Sequence, residues 1–92
     1  MNSELNKLWQ EHQTSTYPDE AHVSNLDFEL ADSIIAGCVS SFLESGTLEN
    51  EKQEALNGSI EYISQHEREL PNNAQPYFER LKTMGNLVLQ FL

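Results

Sequence analysis

Residues 24–46 read SNLDFELADSIIAGCVSSFLESG, and this stretch decides the fold. Phe28, Ala31, Ile34, Ile35, Cys38, Val39 and Phe42 recur at the three- and four-residue spacing of one broad helix face. Ser24 is placed to cap the N-terminus, and Asp27, three residues on, resembles the second half of a capping box. Asp27 and Glu29 also suit the positive end of the helix dipole. Gly46 stands where a helix commonly turns into left-handed backbone and stops.

Working outward, Thr47 is the expected cap of a following helix, with Glu49 and Glu51 in its first turn. Its core face is Leu56, Ile60, Ile63 and Leu70, with Tyr62 on the flank, and Pro71 stops it. Asn72 and Asn73 supply a turn and a cap. A last helix then tolerates Pro76 in its first turn and aligns Tyr77, Phe78, Leu81, Met84, Val88 and Leu92. Upstream, Leu5, Leu8, Trp9 and His12 share a face of a short helix over residues 3–13, which is too short to hold itself without docking. Residues 14–23, with Tyr17-Pro18, read as a connector.

No segment alternates with period two, and the two later loops are short. The fold class expected is therefore all-α: one domain, a small antiparallel helical bundle of three core helices plus a short N-terminal helix. Leu87 to Leu92 are apolar almost all round. Leu87 and Phe91 point off the main stripe, so the first helix is expected to cover them, with a homodimer as the alternative.

Charge is the most unusual total. Fifteen Asp and Glu against five Lys and Arg give −10 in 92 residues. Such a chain is repelled by nucleic-acid phosphates and anionic lipid and attracted to basic proteins. Its single cysteine, Cys38, excludes an intramolecular disulfide and suits a reducing compartment. Met1-Asn2-Ser3-Glu4 lacks the basic and apolar regions of a signal peptide, and no apolar run approaches the ~20 residues of a membrane span. A cytoplasmic location is expected.

Catalytic and metal constellations are wanting. Asp19-Glu20-Ala21-His22 spells the DEAH box of helicases, but that motif works on a large nucleotide-binding fold with a phosphate-cradling glycine loop, and no such loop is present. His12, His22 and His66 have no i, i+3 or i, i+4 partner histidine, so no metal site is expected. Cys38 lies on the apolar stripe and reads as a small core hydrophobe rather than a nucleophile. Asn57-Gly58-Ser59 is formally a glycosylation sequon, to which no meaning is attached without a secretion signal. No enzyme and no cofactor are expected.

Two features stand out. From Leu8 to Glu51 there is no Lys or Arg, while that stretch holds nine acids. The face of the 24–46 helix opposite its apolar stripe is also small and smooth: Ser33, Gly37, Ser40 and Glu44, with Ser41 beside them. Exposed helix positions are more often filled by strong helix formers. Asp19, Glu20, Asp27, Glu29, Asp32 and Glu44 are the candidate acidic contacts, with Ser33, Gly37 and Ser40 the smooth surface between them. In length and acidity the chain resembles small bacterial or phage proteins that bind one partner, such as immunity proteins and inhibitors. The acidic half, centred on the 24–46 helix and the 19–32 segment, leads to the expectation of a non-catalytic module docking on a basic protein surface. A homodimerising structural domain and a nucleic-acid mimic bound by a DNA-binding protein are the alternatives.

Overall fold

The computed structural model describes residues 3–18 and 26–92. The order is α1 (Ser3–Thr14), α2 (Leu26–Ser45), α3 (Asn50–His66), a 3₁₀ turn (Glu67–Glu69) and α4 (Gln75–Phe91). Among the described residues there is no strand. Helices α2, α3 and α4 pack on one another, and α1 lies against α4, so the molecule is a three-helix bundle with an added N-terminal helix.

The predicted stripes supply the core. Phe28, Ala31, Ile35, Cys38, Val39 and Phe42 of α2 meet Leu56, Ile60 and Ile63 of α3 and Phe78, Leu81, Met84 and Val88 of α4, all buried. Each such large side chain contributes roughly 1.5–3 kcal/mol by leaving water. Leu5 of α1 is fully buried, with Leu8 and Trp9 packed against the same cluster, so α1 docks by the face its spacing predicts.

Several boundaries differ from the sequence expectation. Gly46 does end α2: its φ is +78° and its N–H donates to the Phe42 carbonyl at 2.7 Å, as a left-handed C-terminal turn requires. Thr47, however, does not cap α3. The cap position is Glu49, whose side chain makes no capping bond, and Thr47 is held instead by the Ser45 hydroxyl. Leu48 is the reason: it is buried in the core, and seating it keeps the chain extended for two more residues before α3 starts.

At its other end, α3 stops at His66. The chain tightens into the 3₁₀ turn, and Leu70 takes extended backbone (ψ 141°), the geometry favoured before a proline. The cap of α4 is Ala74, fully buried and without a side-chain capping bond, rather than Asn72 or Asn73. Leu92, aligned with the α4 core face by spacing, is exposed, and Phe91 finds its stacking partner in Phe42 of α2, with ring centroids 6.5 Å apart. Ser24, the expected cap of α2, lies outside the described residues, as does most of the 14–23 connector.

Candidate protein-docking face

Helix α2 has two unusual sides. Its inner side carries an acid. The Tyr77 hydroxyl on α4 donates to Asp32 Oδ1 at 2.9 Å. With the phenol proton committed there, His12 Nε2–H on α1 donates to the phenol oxygen at 3.3 Å and lies 3.4 Å from the same carboxylate oxygen. His12 is buried; its ring tilts against Tyr77 and stacks on Trp9. Three helices therefore meet at one carboxylate. Burial and then the Asp32 charge and hydrogen bond push the Tyr77 phenol well above its ordinary range, against a smaller opposing pull from Arg80, whose guanidinium sits 5.6 Å over the ring. Among the described residues, His12 Nδ1 has no hydrogen-bond partner.

The outer side carries leucines. Leu26 is 75% and Leu30 59% exposed, and acids stand between them at Asp27 and Glu29. Leu30 is the wall of a shallow groove of about 430 Å³ between α2 and α3, floored by Ala31 and Ile34 and closed on the α3 side by Ala55, Gly58 and Tyr62. A second surface depression, around Leu26, Glu29 and Ser33, continues it past Leu30.

Glycine marks the same surface. Three of the four glycines lie inside helices, where each costs about 1 kcal/mol relative to alanine. Gly85 on α4 has an internal reason: a Cβ there would stand 2.7 Å from Ile60 Cδ1 and 3.2 Å from Leu56 Cδ1. Gly37 and Gly58 have no such reason among the described residues, where an added Cβ at either meets nothing within 4 Å. Both are exposed, Gly58 in the groove and Gly37 one turn beyond Ile34.

The sequence-derived candidates distribute as follows. Asp27, Glu29, Ser33, Gly37 and Glu44 are exposed along α2, and Ser40 is half-buried. Asp32 is turned to Tyr77 and His12, so its carboxylate is committed inside the bundle. Asp19 and Glu20 lie outside the described residues. Sequence reading missed Leu26, Leu30, Ala55 and Gly58 as parts of this surface. The available signal was that Leu26 and Leu30 fall off the apolar stripe, one turn apart and in line with Ser33 and Gly37.

Other chemistry is sparse. Burial raises the Cys38 thiol above its usual pKa despite the opposing charge of Lys52, and its Sγ points to the Lys52 carbonyl at 3.6 Å, which makes a poor nucleophile. Lys82 loses hydration, but Glu67 and Glu79 outweigh that and hold its ammonium above the usual value, pinning the 3₁₀ turn to α4. Among the described residues no three His, Cys, Asp or Glu side chains gather as metal ligands, and no helix is long and apolar enough to cross a membrane. Comparison with known proteins finds no family model, no curated protein and no solved structure that matches this chain.

Proposed function

We propose that this chain is a non-catalytic, cytoplasmic protein-binding module, of the inhibitor, immunity or regulatory kind, that docks on a basic partner through the outer face of α2 and the adjoining α3 edge. The observation that carries the reading is the pairing of exposed Leu26 and Leu30 with Asp27 and Glu29 on a helix that has no Lys or Arg. Exposed apolar side chains supply the desolvated centre of an interface, and the acids supply steering and choice of partner. Affinity capture across a salt gradient tests it. The wild-type chain is expected to retain a basic protein that moderate salt releases. The Leu26→Ser/Leu30→Ser and Asp27→Lys/Glu29→Lys variants are expected to lose it. Equal retention by all three overturns the proposal.

Exposed Phe91 and Leu92 favour homodimerisation as the second reading. Sedimentation equilibrium at high concentration separates the two: a monomer removes the dimer, and a dimer abolished by Phe91→Ser supports it.

A further inference from the structure

The face proposed above has a shape as well as a charge, and its shape selects a kind of partner. Two helix-interior glycines lie exposed at a groove or one turn from it, and neither is required by packing among the described residues. Glycine at a helix contact lets a second backbone come closer than any side chain would permit, and the separation of packed helices is set by the side chains between them. Leu30 and Ile34 offer apolar surface along the groove, and Leu26 extends it. The exposed charge has one sign along α2: Asp27, Glu29 and Glu44 without a cation. On α3, Glu51 and Glu54 precede the groove residues Ala55 and Gly58, and Glu61 follows them, against the single cation Lys52.

We infer that the α2–α3 groove receives an amphipathic α-helix of the partner whose apolar edge lies over Gly37 and Gly58 and whose flanks carry Lys or Arg. This rests on the docking face proposed above and names its ligand. It is the helix-in-groove mode of recognition, in which apolar residues one turn apart anchor the helix and flanking charges choose among helices. An acidic amphipathic helix would meet like charge on both walls. An extended basic segment without an apolar edge would leave Leu26 and Leu30 in water.

The test uses three synthetic helical peptides at physiological salt, titrated into the full-length ¹⁵N-labelled chain. One has leucines at i, i+4, i+7 and i+11 with lysines on the remaining faces. The second is the same composition scrambled to remove the apolar edge, and the third replaces every lysine by glutamate. The first is expected to bind at least tenfold more tightly than either other, with amide shifts concentrated at Leu30, Ile34, Gly37, Ala55 and Gly58. Gly58→Leu, which fills the groove, and Gly37→Leu, which raises the surface one turn beyond it, meet no neighbour at Cβ among the described residues and are each expected to weaken it at least tenfold while circular dichroism stays unchanged. Equal binding of the scrambled peptide reduces the attraction to bulk charge and overturns the inference, as do shifts centred elsewhere. Self-association that buries these same amides overturns it in favour of a second copy. The parent reading fails separately. Capture that depends on Leu26 and Leu30 without preference for the amphipathic peptide keeps the face and removes only the helical ligand, whereas capture indifferent to those leucines removes the face itself.

Discussion

Leu30 and Asp32 stand two residues apart on α2 and meet opposite environments. The acid is turned into the bundle, where Tyr77 and His12 satisfy it. The leucine is turned out, where among the described residues it forms the wall of an open groove. The usual partition is inverted on both sides of one helix. A partly buried carboxylate needs partners and so fixes which helices lie beside it. An exposed leucine needs only to leave water and so leaves its cover unspecified. The inner side of α2 is thus a closed structure, and the outer side an open one.

The comparison is tested most severely through the glycines. Gly85→Leu is expected to destabilise the fold by at least about 2 kcal/mol, because overpacking against Ile60 and Leu56 exceeds the gain in helix propensity. Urea denaturation measures it, and an unchanged midpoint would show that the α3–α4 contact is looser than its geometry.

Tyr77→Phe comes next. It removes the hydrogen bond to Asp32 and is expected to cost about 1.5–2 kcal/mol, near the lower end for a bond to a charged group because water still reaches the carboxylate. The same contact has a pH signature. The folded state holds the phenol proton more tightly than the unfolded state does. Its share of stability is therefore complete below the ordinary tyrosine pKa near 10 and is lost as pH rises beyond it. Alkaline melts of wild type and Tyr77→Phe should converge, with the residual slope coming from Lys82 and Cys38, whose protonated forms are also favoured on folding.

On the open side the signs reverse. Gly37→Ala and Gly58→Ala should each gain about 1 kcal/mol, since the methyl meets nothing among the described residues and the helix backbone is less free when unfolded. A loss at either position would reveal an internal role for that glycine. Smallest of all, Leu26→Ser and Leu30→Ser should each alter stability within about 0.5 kcal/mol, as exposed positions do, while abolishing partner capture. A loss several times larger would mean that the leucines are covered within the molecule and that α2 has no open side.

Much of this fold was legible in the residues because helical periodicity is local. The stripes of α1, α2, α3 and α4, the stop at Gly46 and the extended backbone before Pro71 all follow from spacing or from one residue's backbone preference. The α3 start was misread because Thr47 is a good cap in isolation, whereas burying Leu48 is a tertiary demand that outweighs one capping bond. Of the candidate face, the exposure of Asp27, Glu29, Ser33, Gly37 and Glu44 on α2 was legible from helical spacing, whereas the inward turn of Asp32 was not. The α3 wall was not, because which residues of α3 lie beside Leu30 is set by how the two helices pack.

The sequence by itself determined an acidic chain of amphipathic helices, since composition fixes charge and the 3.6-residue period fixes which side chains share a face. Only the tertiary structure decided that Asp32 turns inward to His12 and Tyr77, residues 20 and 45 positions away, and that Ala55 and Gly58 close a groove against Leu30. Contacts between helices depend on how ridges and grooves register across the bundle, and that register is a property of the packed whole rather than of any one segment.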